Sequence, residues 1–229
     1  GKNNFNKGII PKILSWNMKL LIKYPCKGRL PMLKKNLKEL KNNIKNSETK
    51  IILSIDKDDK EIYSTKSLTE IKPYVDNVKI MLSNSHNKIN ALNRDLDSLE
   101  WDYVLFLTDY TEIVTEGFDQ WIIDNLKELA NYPSEKTALK IRSKNNNGLD
   151  YHYLYVVPYN FFKSKGYVFN PNLAGNFHYE LLEKELKDDY CIITDSITEN
   201  SIHKYVHPKW GYYTKDELSL KSLNYWKTD

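Results

Sequence analysis

"DYVLFLTDYTEI", residues 102–113, climbs through five consecutive apolar residues from Tyr103 to Leu107 and then meets a single aspartate, Asp109. The aromatic and β-branched content marks a strand. Apolarity on every residue, with no alternation, marks a strand buried on both faces, the signature of a central position in a parallel sheet. An acid at the tip of such a strand is costly unless something uses it. Asp109 is therefore the first candidate functional residue.

The segments on either side alternate. Toward the N-terminus, "HNKINALNRDLDSL" (86–99) predicts an amphipathic helix and "NVKIML" (77–82) a strand. "SLTEIKPYV" reads as a short helix broken near Pro73. "KIILSID" (50–56) predicts a strand, and "MLKKNLKELKNNI" (32–44) has apolar residues at helical spacing. "MKLLIKYPC" (18–26) is a strand running into a Pro/Gly loop. Toward the C-terminus, "GFDQWIIDNLKELA" (117–130) predicts a helix, and "KTALKIR" and "DYHYLYVVPYNFF" predict strands. "YELLEKEL" (179–186) predicts a helix, "YCIITDS" (190–196) a strand and "TKDELSLKSLNYW" a terminal helix. Strands alternating with helices at this spacing imply an α/β fold, a mostly parallel sheet with helices on both faces. Residues 1–17 read as a polar lead-in and 18–229 as one domain.

Composition sets the broad class. With 229 residues, 41% hydrophobic and 28% charged, the chain can bury a full core. No apolar run approaches the roughly 20 residues of a spanning helix. Cys26 and Cys191 are far apart with no CxxC, which suits reduced thiols and a cytoplasmic setting. The net charge of +4 comes with no basic block, which argues against a nucleic-acid surface.

Ligands of open parallel sheets bind beyond the carboxyl ends of the strands. The residues expected there are Lys27 and Arg29 after the first strand, Asp56 after the second, Asn84 and His86 after the third and Asp109 after the fourth. Two acids and an arginine on one rim suit a nucleotide with its metal.

In order, "YPCKGRLPMLKKNL", "ILSIDKDD", "NKINALNRDL", "WDYVLFLTDYTEIVTEGFD" and "VHPKWGYYTKDEL" resemble the family-2-like glycosyltransferases of GT-A fold. The likeness is to the small phage, viral and bacterial members. It implies a Rossmann-like GT-A domain that moves a sugar from a nucleotide-diphosphate donor to an acceptor hydroxyl with Mn²⁺ or Mg²⁺, inverting the anomeric centre. Lys27, by its place after the first strand, is assigned to the donor nucleotide; by resemblance, Arg29, Asp56 and Lys88 hold it too, Asp109 reaches ribose and metal, His207 completes the metal shell and Trp210 lies near donor or acceptor. The acceptor is open among glycan, protein and modified nucleobase.

Two departures from the family pattern stand out. Tyr110 occupies the place of a second acid, and a neutral phenol is a poor ligand for Mg²⁺. The acid expected as acceptor base falls at or near His178, with Glu180 two residues on. The alternative reading is a non-catalytic nucleotide- or sugar-binding protein on the same scaffold.

Overall fold

The computed structural model describes residues 17–108, 111–113, 115–129, 136–144, 151–172, 178–195 and 203–205. At the centre stands the strand that the opening stretch predicts, β4 (Tyr103–Phe106). It is fourth of seven in one sheet with β1 (Leu20–Cys26), β2 (Lys50–Asp56), β3 (Val78–Ser83), β6 (Thr137–Lys144), β7 (Tyr151–Pro158) and β8 (Cys191–Asp195). The order is β3-β2-β1-β4-β7-β6-β8. The β1–β2, β2–β3, β1–β4 and β6–β8 pairs are parallel, and β7 runs antiparallel to both its neighbours. A second, two-stranded sheet pairs β5 (Thr111–Ile113) with β9 (His203–Tyr205). That ribbon is not foreseen in the sequence reading.

Alternation of side chains along the strands divides the core into two layers. Leu20, Ile22 and Tyr24 of β1, Ile51, Leu53 and Ile55 of β2, and Leu105 of β4 pack on α1 (Leu30–Asn43), α2 (Thr65–Ile71) and α4 (Phe118–Leu129). Leu21, Ile52, Val104 and Phe106 face the other way, onto α3 (Lys88–Asn93), α5 (Tyr159–Lys165) and α6 (His178–Asp189). Each fully buried Leu, Ile, Val or Phe contributes about 1.5–3 kcal/mol, so both layers are substantial. The expected fold class, a mostly parallel sheet covered on both faces, is the one observed.

Two elements differ from expectation. The helix predicted over 86–99 stops at Asn93: Arg94 turns extended (ψ 152°), Asp95 takes a left-handed conformation (φ 68°), and a 3₁₀ turn follows over Leu96–Ser98. The apolar spacing continues because Leu96 is still buried, its carbonyl accepting from Trp101 Nε1 at 2.6 Å, although the helix has ended. The strand predicted to run to Phe162 ends at Pro158, and Tyr159–Lys165 coil into α5, closed by Gly166 at φ 77°. The predicted terminal helix lies outside the described residues. Among the described residues no helix is long and apolar enough to cross a membrane.

Candidate functional site

The same alternation places three polar residues on the α3 side of the sheet. Lys23 follows Leu21 on that face of β1, and Ser54 and Asp56 follow Ile52 on that face of β2. Asp56 is the last residue of β2 and only 2 % exposed. Its Oδ1 accepts from Ser85 Oγ at 2.7 Å and from Arg94 Nη2 at 3.1 Å. Its Oδ2 lies 3.5 Å from Lys27 Nζ, and no hydrogen bond from the described residues reaches it. Lys27 and Asp56, expected at the ends of neighbouring strands, thus form an ion pair there.

The loop carrying Lys27 and Arg29 is held by acids from the loop after β2. Gly28 and Arg29 both have left-handed backbones, φ 64° and φ 58°. This double turn aims the amide of Gly28 at Asp59 Oδ2 (2.6 Å) and the amide of Leu30 at Glu61 Oε1 (2.8 Å). The first turn of α1 contains no acid of its own, so Glu61 supplies the negative charge that a helix N-terminus favours. A left-handed non-glycine costs about 1–2 kcal/mol, and such strain persists where the surroundings over-determine it. Arg29 is held so at the rim.

Beneath Asp56 lies a buried polar network. Lys23, 0 % exposed, donates to Ser54 Oγ and to the carbonyl of Arg94, the latter at 2.5 Å. Ser54 Oγ donates to Asp95 Oδ2 (3.0 Å), which also accepts from Arg94 Nη1 (2.7 Å). Arg94 Nε donates to Ser85 Oγ at 2.9 Å. Burial pushes the Lys23 amine down to about 7, with the Asp95 carboxylate opposing that fall.

Lys88 opens α3, where Asn87 caps the helix by accepting from the amide of Asn90 at 2.8 Å. Asn84 accepts from the amide of Lys57, and His86 is exposed beside it. His178 opens α6 and is buried against Phe169 (ring centroids 5.2 Å) and Tyr179 (4.3 Å). Phe169 in turn meets Phe106, the last residue of β4, at 4.8 Å, so His178 is one ring removed from the end of the central strand. Glu180, in the first turn of α6, is exposed. Asp109, His207 and Trp210 lie outside the described residues. Among the described residues no group of three His, Cys, Asp or Glu is placed to hold a metal.

No protein-family profile matches the chain, and no curated protein matches it by sequence. Solved structures do match it by shape. A crystal structure of S. aureus TarS (residues 1–349) superposes with a TM-score of 0.62 at 14% identity, covering 84% of this chain and 61% of that one. TarS has also been solved with UDP-GlcNAc, matching at TM-score 0.62. The mannosyltransferase PcManGT from Pyrobaculum calidifontis, solved with GDP-Man and Mn²⁺, gives 0.65 at 13% identity, covering 86% of this chain and 59% of that one. The fold is of the GT-A type. The chain spans about three fifths of the length of these two structures, 61% and 59%.

Lys27 and Asp56 meet at neighbouring strand ends, and Arg29 is two residues after Lys27 in the same loop. Lys23, Arg94 and Asp95 are missed, because in sequence Arg94 and Asp95 read as a solvated helix face. Two signals could have found them: a lysine inside an otherwise apolar parallel strand, and an arginine in a chain whose basic residues are nearly all lysine.

Proposed function

We propose that this chain is a glycosyltransferase that takes a nucleotide-diphosphate sugar and passes the sugar to an acceptor hydroxyl with a divalent cation, Mn²⁺ or Mg²⁺. The observation that carries this reading is Asp56: a buried carboxylate at the carboxyl end of β2, in a GT-A sheet, with Oδ1 saturated and Oδ2 accepting no hydrogen bond among the described residues. An oxygen so kept suits an N–H or O–H donor of the nucleoside. Lys27 and Arg29, in the loop above it, are cations of the kind a diphosphate needs.

The donor set proposed for the cation is Asp109 and His207. Carboxylate and imidazole fit Mn²⁺, and carboxylate with water fits Mg²⁺. In support, the β5–β9 ribbon pairs Thr111, two residues after Asp109, with Tyr205, two residues before His207. When bound, the cation supplies Lewis-acid neutralisation of charge on the departing diphosphate. Trp210 and Lys88 are assigned to the donor site by resemblance. For the acceptor proton, Glu180 is exposed and His178 buried; both remain assigned, Glu180 as the group that solvent-borne acceptors can meet. Net inversion is part of the proposal.

The test is calorimetric titration of UDP-GlcNAc and GDP-Man with and without Mn²⁺, on wild type, Asp56→Asn and Asp109→Asn, followed by assay of transfer and donor hydrolysis. Expected is micromolar binding of one donor, weakened by about 10-fold or more in Asp56→Asn, the cost of a charge-assisted hydrogen bond. Asp109→Asn is expected to remove the Mn²⁺-dependent part. Binding without any turnover would favour the non-catalytic alternative that Tyr110 raises. Absence of binding to any nucleotide sugar would overturn the proposal.

A further inference from the structure

The geometry points to Arg94 as the positioning residue of the donor site: by fixing Oδ1 of Asp56 it keeps Oδ2 for the incoming nucleotide. The identity of the ligand rests on the reading proposed above; the geometry does not.

Arginine facing a carboxylate ordinarily forms a two-pronged pair, two N–H groups on two oxygens. Arg94 does otherwise. It divides its two terminal nitrogens between two aspartates, Nη2 to Asp56 Oδ1 at 3.1 Å and Nη1 to Asp95 Oδ2 at 2.7 Å. Nε reaches Ser85 Oγ at 2.9 Å, and that hydroxyl donates to the same Oδ1 at 2.7 Å. Asp56 is thus pinned twice through one oxygen, while its other oxygen is buried and accepts no hydrogen bond among the described residues. That second oxygen faces the Lys27 ammonium at 3.5 Å, an ion pair without a hydrogen bond, so its capacity to accept one is kept.

Arg94 is itself held at both ends. The break after α3 leaves its backbone extended, so its carbonyl is directed to the buried amine of Lys23 instead of into a helix. Lys23 also donates to Ser54 Oγ, which donates to Asp95, the second anchor of the guanidinium. The side chains of Arg94, Asp56 and Lys23 are 9%, 3% and 0% exposed. Charged groups buried this deeply are unfavourable unless fully partnered, and Asp56 Oδ2, which accepts no hydrogen bond among the described residues, is countered by the Lys27 ammonium at 3.5 Å. Only a planar fork with donors in three directions can bridge Ser85, Asp56 and Asp95 together; an ammonium on a flexible stem cannot hold the same angles.

The experiment uses Arg94→Lys, which keeps the charge, and Ser85→Ala, which removes the other hydrogen bond to Oδ1 without touching a charge. UDP and GDP are titrated into each with Mn²⁺, and the carboxyl ¹³C signal of Asp56 is followed in nucleotide-free protein. Expected is a loss of about 10–100-fold in affinity for the better nucleotide in Arg94→Lys and about 3–10-fold in Ser85→Ala, from the usual strength of hydrogen bonds to charged groups. The Asp56 signal should shift or broaden in both variants, with circular dichroism unchanged. Folded variants with wild-type affinity, or weakened binding with an unmoved Asp56 signal, overturn the positioning role. Wild type that binds neither nucleotide overturns the donor-site reading instead, and the ¹³C comparison then still decides whether Arg94 orients Asp56.

Discussion

Gly28 shows how tightly single residues are specified at the rim. Its φ of 64° lies where an L side chain is strained, and an added Cβ would meet Glu61 Oε2 at 3.1 Å. Gly28→Ala is therefore expected to cost about 1–2 kcal/mol, measured by urea denaturation, and to loosen the Lys27–Arg29 loop. Glu61→Ala leaves the Leu30 amide without its carboxylate. The expected loss is about 1 kcal/mol, the usual value of a helix cap. At this scale the sequence was legible where topology did the work: Lys27, Arg29 and Asp56 follow strand ends, and strand ends were readable. Glu61 and Asp59 were not, because an acid in "DKDDKE" looks the same whether it clamps a loop or meets water.

Elements carry the pH behaviour. In β1, Lys23 titrates near 7 when folded and near 10.5 when unfolded. Between those values the unfolded chain holds a proton that the folded chain lacks. Stability from this group therefore rises with pH from about 7 to 10.5, and its cost is fully present below 7. The slope is at most about 1.4 kcal/mol per pH unit. Lys23→Met should remove it: the stability of the variant minus that of wild type, read by denaturation from pH 6 to 10, should be level up to about pH 7 and fall above it. A constant difference would contradict this.

Glu183 on α6 has the opposite sign. Burial raises its pKa, but hydrogen bonds from Lys140 (2.8 Å) and Tyr155 (2.7 Å), with Lys187 at 3.1 Å, outweigh it and bring the carboxyl down to about 2. Its contribution is present above about 4.5 and lost as pH falls toward 2. Glu183→Gln should cost about 2 kcal/mol at pH 7 and almost nothing at pH 2. Element types were mostly legible in the sequence, since 3.6-residue and two-residue periods differ. The end of α3 was not: Leu96 keeps the helical rhythm after the backbone has left it, and the Lys23 amine that donates to the Arg94 carbonyl there is 71 positions away.

For the whole molecule, the sheet is one hydrogen-bonded body with an apolar layer on each side. Leu53 belongs to one layer and Val104 to the other. Leu53→Ala and Val104→Ala should each lower the same single unfolding transition, Leu53→Ala by about 2–5 kcal/mol. Separate transitions seen by fluorescence and circular dichroism would show that the layers unfold independently. The parallel half, β3-β2-β1-β4, was legible because each strand ends in a turn and each crossover contains a helix. The β7–β6–β8 half was less so, since β7 runs antiparallel to both its neighbours and breaks the repeating strand–helix–strand pattern. The β5–β9 ribbon was invisible: three-residue strands carry no period, and their pairing is set by tertiary contacts.

That ribbon also sets a timetable. Residue 113 must wait for residue 203 before the short pair can close. At the usual synthesis speed of about 5–20 residues per second, the wait is on the order of 5–20 s. During that interval a nascent chain already has the strands that present Asp56, yet lacks the partner for the segment that follows Asp109. On the reading proposed above, a half-made chain would lack that part of its donor site.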